Sequence, residues 1–175
     1  DMVAAYSTFA NQGVYIKPQF ISRIEDKNGV VLYETVPESH DVLNKDIAYA
    51  VIKLLEGVTE EGSGVRLRTQ SGGSGDNRWT GYPYMFTNPI AGKTGTSQNQ
   101  SDGWFMGMVP NLVTGVWVGC EDRSARFKGI TYGQGATAAL PIWGYFMKKC
   151  YEDKDLLISK DPFERPDNLS IKVDC

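Results

Sequence analysis

Residues 88–110 read NPIAGKTGTSQNQSDGWFMGMVP, and NLVTGVWVG follows at 111–119. Three runs in this stretch are rich in β-formers, at about 90–97, 103–109 and 113–119. Ser101-Asp102-Gly103 leads into the second run and Pro110-Asn111 into the third. Parallel neighbours need a crossover of about a dozen residues, so these strands are predicted to be antiparallel. Side chains alternate along an extended strand, so Lys93 points to one face and Thr94 to the other. Gly95 has no side chain, and a ligand can lie against the backbone there. If the strand is at an edge, its free N–H and C=O groups can pair with an extended ligand. Thr96 can offer a backbone N–H to a developing oxyanion. Lys93 and the two threonine hydroxyls can bind a carboxylate. The set suits acyl transfer on a peptide-like substrate with a free carboxylate, although an exposed Lys-Thr pair is also ordinary strand surface.

Upstream, Met2, Val3, Tyr6, Phe9 and Ala10 recur at helical spacing before Gly13, a left-handed C-cap. Two β-rich runs, about 14–25 and 30–35, flank Asp26-Lys27-Asn28-Gly29 and predict a hairpin. Pro18 puts the first strand at an edge or interrupts it. VPESHD is read as a loop. Asn44 then N-caps a helix with Ile47, Val51, Leu54, Leu55 and Val58 on one stripe, stopped by Gly57, Gly62 and Gly64. Residues 69–83 have the composition of a flexible loop. Trp79, Tyr82, Tyr84 and Phe86 either pack or cover a cleft entrance. After GQGATAA, a last helix over 138–152 carries Ala139, Trp143, Phe146, Met147 and Cys150 on one face, with Pro141 in its first turn. The tail from Pro162 is polar, with a short strand at LSIKV. Helix, hairpin, helix, three-stranded meander and helix make an α+β fold, with helices packed on an antiparallel sheet.

The 175 residues are 41% hydrophobic with a net charge of −3, which suits a globular core and excludes disorder. No Lys/Arg cluster supports nucleic-acid binding. No apolar run approaches the ~18 residues of a membrane span, and no signal peptide is present. The chain opens inside an amphipathic helix, so it reads as a piece of something longer. With one histidine, His40, and cysteines only at 120, 150 and 175, a zinc site is nearly excluded and a Cys150–Cys175 disulfide stays open. Ser39-His40-Asp41 lists triad residue types, but adjacent residues cannot converge as a triad does. Asp122, Arg123 and Arg126 are read as a surface ion pair of little weight. Asp102 is read as a turn cap or a group at the cleft rim, and Trp104 and Phe105 as strand packing.

IAGKTGT, then SDGWFMGMVP and VTGVWVG, resemble the third to fifth strands of a penicillin-binding protein transpeptidase domain. DMVAAYSTFANQG, ISRIEDKNGVVLYE, LLEGVTEEGSGVRLR and GQGATAALPIWGYFMKK match that domain in kind and order. Residues 1–150 carry the resemblance, which is best with the class A, bifunctional type. The expected organisation is the C-terminal part of the transpeptidase domain at 1–160 and a tail at 161–175.

The resemblance implies a serine acyl-enzyme that cross-links stem peptides and is blocked by β-lactams, with no metal or organic cofactor. Lys93 and Thr96 would be catalytic, and Thr94, Gly95 and Thr96 would bind substrate. One departure is plain: no serine here has lysine three residues on. The one S-x-N, Ser97-Gln98-Asn99, directly continues the KTGT strand, whereas the family's lies upstream on the opposite wall. The nucleophile is therefore expected before Asp1, with the upstream half of the domain, a glycosyltransferase domain and a membrane anchor. Such a protein would be periplasmic or otherwise extracytoplasmic, and the fragment alone inactive. Two alternatives stay open: a serine β-lactamase or carboxypeptidase-type hydrolase, and a non-catalytic peptide-binding module.

Overall fold

The computed structural model describes residues 1–68 and 84–173. The loop reading of 69–83 and Cys175 lie outside the described residues. Helix α1 (Met2–Ala10) ends at Asn11, and Gly13 turns the chain at φ +94°. A Cβ there would sit 2.1 Å from Leu43 O, so space as well as dihedral angle requires glycine. A two-stranded ribbon follows. β1 (Val14–Ile16) pairs with β4 (Ser39–Asp41), and β2 (Arg23–Glu25) with β3 (Val31–Glu34), all antiparallel.

The single strand expected over 14–25 is thus split. Pro18 has no N–H for the ladder and a fixed φ, so pairing stops there and resumes at Arg23. VPESHD is not all loop, because Ser39, His40 and Asp41 pair with Ile16, Tyr15 and Val14. The turn forms around Asp26, whose Oδ1 accepts from Asn28 N at 2.8 Å and Val30 N at 2.9 Å. Gly29 takes the positive φ there and Asn28 does not.

Helix α2 (Lys45–Glu60) is capped by Asn44, whose side chain accepts from Asp46 N at 2.9 Å. It runs through Gly57 and stops before Gly62. Its buried stripe is Ala48, Ile52, Glu56 and Thr59, one position on from the expected stripe. Leu54 is 72% exposed. Polar anchors set this rotation: Thr59 Oγ1 donates to Ile90 O at 2.6 Å, and buried Glu56 takes Lys53 Nζ at 2.5 Å.

β5 (Ala91–Thr96), β6 (Asp102–Val109) and β7 (Leu112–Gly119) form the expected antiparallel meander in that order. Two single-turn helices, α3 (Ile130–Gly133) and α4 (Gly135–Ala138), lead to α5 (Leu140–Glu152), with Pro141 in its first turn. Phe105, Val109, Ile90, Leu140, Trp143 and Met147 pack one sheet face against α5. Ala91, Met108, Ile52 and Phe163 pack the other, with Tyr6 and Phe9 of α1 beside them. Tyr84 and Phe86 belong to the first core, stacked at 5.5 Å, which makes them packing residues. Phe146 is 48% exposed and not on the core face. Steps of four, four and three from Ala139 give 143, 147 and 150; residue 146 falls on the flank away from the sheet.

Residues 169–173 form no strand. Ser170 instead donates from N at 3.0 Å and Oγ at 2.6 Å to Asp46 Oδ2, tying the tail to the start of α2. Asp46 is thereby held below the ordinary aspartate range, Ser170 being the first cause.

Trp143 crosses β6 over Gly107, where an added Cβ would lie 2.4 Å from the indole. Gly107→Ala is expected to lower stability by about 1–3 kcal/mol through overpacking. Combining it with Trp143→Phe should cost less than the sum of the two single changes. Denaturant unfolding of the four proteins checks this; strict additivity would show that the close approach is not a constraint.

Candidate functional site

Construction of the site begins where the chain enters β5. Arg68 Nη1 donates to Phe86 O at 3.2 Å and to Asn88 O, and its Nη2 donates to Thr59 Oγ1 at 3.1 Å. Burial lowers the pKa of this guanidinium, and nearby Glu60 and Glu56 oppose the shift. Asn88 Nδ2 reaches Tyr151 of α5 at 2.9 Å. The lead-in to β5 is thus tied to both α2 and α5 before the first residue of KTGT.

β6 pairs with one side of β5, and among the described residues no strand pairs with the other. Lys93, Thr94, Gly95 and Thr96 therefore lie on an edge strand. The register sets Lys93 opposite Met106, Thr94 opposite Phe105, Gly95 opposite Trp104 and Thr96 opposite Gly103. Cross-strand partners share a face. Lys93 and Gly95 accordingly lie on the α1 side, and Thr94 and Thr96 on the α5 side, as the strand alternation predicts. Lys93 is exposed, and its Nζ donates to Thr94 O at 2.7 Å.

The two threonines have neighbours that sequence reading missed. Thr94 Oγ1 is 2.6 Å from Ser63 Oγ, on the turn that leaves α2. Thr96 Oγ1 accepts from Gly135 N at 3.0 Å, at the start of α4. Gly135 fits only as glycine, because an added Cβ would lie 2.3 Å from both Gly95 O and Trp104 O. Gly95 is close to Trp104 as well, with 3.2 Å between an added Cβ and the Trp104 Cβ. Both glycine-rich segments were readable as helix stops or loops. Nothing in their spacing says that they converge on β5.

At the far end of β5, Asp102 gathers three segments. Its Oδ2 accepts from Ser97 Oγ at 2.7 Å and from Arg123 Nη2 at 3.2 Å, and its Oδ1 accepts from Trp117 Nε1 at 3.0 Å. Arg123 therefore pairs with Asp102 across the turn. Asp122 does not join that pair; its Oδ1 accepts from Ser124 N at 2.9 Å. Ser97-Gln98-Asn99 closes the β5–β6 turn, and Asn99 and Gln100 both have positive φ. Trp104 stands 6.3 Å from Trp117, and Phe105 is fully buried. His40 lies on the ribbon, in β4. Among the described residues no three of His, Cys, Asp and Glu gather as a metal site. Cys120 and Cys150 are free thiols, and the Cys150–Cys175 pairing falls outside the described residues.

Known proteins resemble this chain in sequence and fold. A family model described as "Penicillin binding protein transpeptidase domain" matches residues 1–137. Penicillin-binding protein 1A of Aquifex aeolicus is 34% identical over 99% of the chain, and that of Rickettsia typhi is 33% identical over 95%. The chain spans about a fifth of the length of these relatives, 21% in each. Among solved structures, PonA1 from Mycobacterium tuberculosis in complex with penicillin V has a TM-score of 0.71 at 25% identity. That match covers 96% of this chain and 41% of the other. Penicillin-binding protein 1A from Haemophilus influenzae has the same fold, with a TM-score of 0.69 at 24% identity over 97% of this chain and 27% of its own.

Hydrogen bonds from Ser97, first, and then Trp117 hold the Asp102 carboxyl below the ordinary aspartate range, with Arg123 adding to them. A depressed folded-state pKa gives stability that is present above the unfolded value of about 3.9 and lost as pH falls through the folded value. Asp102→Asn is expected to lower the melting temperature at pH 7. The gap to the unsubstituted protein should narrow below about pH 3.9. Melting curves at pH 7, 5, 4 and 3 check this, and a gap that stays constant would exclude the linkage.

Proposed function

Because the chain belongs to the penicillin-binding protein transpeptidase domain family, we propose that it forms one wall of the cleft in a peptidoglycan D,D-transpeptidase. The observation that carries this reading is the edge strand. It presents the Lys93 ammonium on one face and the Thr94 and Thr96 hydroxyls on the other, along an edge that no strand among the described residues pairs with. The opposite wall, with the S-x-x-K serine and the S-x-N motif, would come from sequence upstream of Asp1.

In that protein the upstream serine Oγ attacks the carbonyl carbon of the penultimate D-Ala of a stem peptide. The C–N bond breaks, and the terminal D-Ala leaves as an amine carrying the proton given up by the serine. An amine of a second stem peptide then attacks the ester, forms the cross-link, and returns a proton to the serine. Lys93 would hold the hydrogen-bond network around the S-x-N serine and add positive potential. The hydroxyls of Thr94 and Thr96 would take the terminal carboxylate. The Thr96 N–H would share the oxyanion hole with the N–H of the nucleophile. Gly95 would let the substrate backbone approach the strand.

These steps balance without a metal or organic cofactor. β-Lactams would acylate the same serine as substrate mimics, and this chain alone would form no acyl-enzyme. Peptidoglycan substrates place the work outside the cytoplasm. No helix among the described residues is long and apolar enough to cross a membrane. A membrane anchor and a glycosyltransferase domain are part of this reading only through the family resemblance.

Fluorescent penicillin labelling tests the reading on this chain and on the protein extended upstream. The extended protein should be labelled and the chain alone should not. Lys93→Ala should slow labelling roughly a hundredfold, with little effect on folding because the side chain is exposed. Labelling of the chain alone would reveal a nucleophile within it. Absence of labelling in the extended protein would overturn the transpeptidase reading and favour an edge-strand peptide-binding module.

A further inference from the structure

Ser63 belongs to the Gly-Ser-Gly turn at the exit of α2 and is 31 residues from Thr94 in sequence. It is exposed, yet its hydroxyl lies 2.6 Å from Thr94 Oγ1, with either oxygen able to donate. The turn is built to put it there. Gly64 is buried, and a Cβ on it would press to 3.1 Å from Val58 O and 3.2 Å from Thr59 Cα. Its amide closes the helix by donating to Val58 O at 2.8 Å. Thr59 itself is fixed to Ile90 O, directly before β5. The serine is therefore carried on a turn locked to the strand it faces.

Counting hydrogens shows what this arrangement can hold. Ser63, Thr94 and Thr96 have three hydroxyl hydrogens. Thr96 oxygen is already engaged as an acceptor by the Gly135 amide, so its hydrogen is left to donate. The Ser63–Thr94 contact consumes one hydrogen and leaves another. Two hydrogens are thus left to donate to the two oxygens of a carboxylate. When that anion arrives, the Ser63 and Thr94 rotors can both turn toward it, which replaces a neutral hydrogen bond by charge-assisted ones. The buried Arg66 guanidinium adds positive charge nearby. It donates from Nη1 to Ala136 O at 3.2 Å, one residue from Gly135.

We infer that Ser63 is a third hydroxyl ligand of the substrate's terminal carboxylate, completing with Thr94 and Thr96 a subsite that joins the α2 exit to the edge strand. The inference rests on the transpeptidase reading above. Ser63 would set affinity for the carboxylate and take no part in breaking the scissile bond.

The test uses the full-length protein and two probes, benzylpenicillin and its methyl ester, whose blocked carboxylate carries no charge. Second-order acylation rates are measured for the unsubstituted protein, Ser63→Ala and Ser63→Thr. Ser63→Ala is expected to slow acylation by the free acid about tenfold and to leave the slower ester reaction unchanged. Ser63→Thr, which keeps the hydroxyl, should restore most of the rate toward the acid. Equal loss toward acid and ester, or no loss toward either, would overturn the role of Ser63 while leaving the transpeptidase reading in place. Failure of the unsubstituted protein to react with benzylpenicillin at all would overturn both. Melting temperatures of the three proteins should coincide, since Ser63 is exposed; a large drop in Ser63→Ala alone would show a structural role instead.

Discussion

A two-residue period governs what β5 can offer. Its pleat sends Lys93 to the face that α1 covers and sends Thr94 and Thr96 to the face of α5. A slip of one residue against β6 would exchange those faces and place the ammonium where the hydroxyl neighbours now stand. The register is held from both sides of the strand. Thr59 and Arg68 fix the approach to Ala91, and Ser97 with Asp102 closes the turn beyond Thr96. Everything the edge can bind depends on that fixed register.

The absence of side chains supports the same arrangement. Gly107 lets the Trp143 indole lie on β6, and Gly135 lets α4 meet the backbone of β5 and β6. Those two close approaches bring a backbone amide within reach of Thr96 and lay α5 across the sheet. Large apolar groups then fill the space on either side: Phe105 and Trp143 meet at 5.2 Å, and Met108 packs near Ile52 and Phe163. The two cores on the faces of the sheet are apolar, and the hydroxyls and the ammonium lie toward the strand's open edge.

Much of this was legible in the residues. The meander followed from three β-rich runs with connections too short for crossovers, and the helix starts from Asn44 and Pro141. Errors arose where tertiary contacts outweigh local pattern. The α2 stripe is rotated by one position because Thr59 and Glu56 have polar partners that no hydrophobicity pattern registers. Phe146 matches the α5 periodicity but falls on the flank the sheet does not cover. β4 was hidden in Ser39-His40-Asp41, whose strand character comes from pairing with β1 and not from composition.

By itself the sequence determined the three main helices and the meander, their order, the alternation of Lys93 with Thr94 and Thr96, and the absence of an S-x-x-K serine from this chain. Those properties follow from short-range rules: residue type, spacing and the lengths of connections. Tertiary structure alone decided that Ser63 faces Thr94, that Gly135 serves Thr96, and that Arg123 closes on Asp102. Each of these contacts joins residues 21 to 39 apart in sequence. Residue type and spacing do not reach that far, and the folded sheet with the segments packed around it brings these pairs within a hydrogen bond of each other.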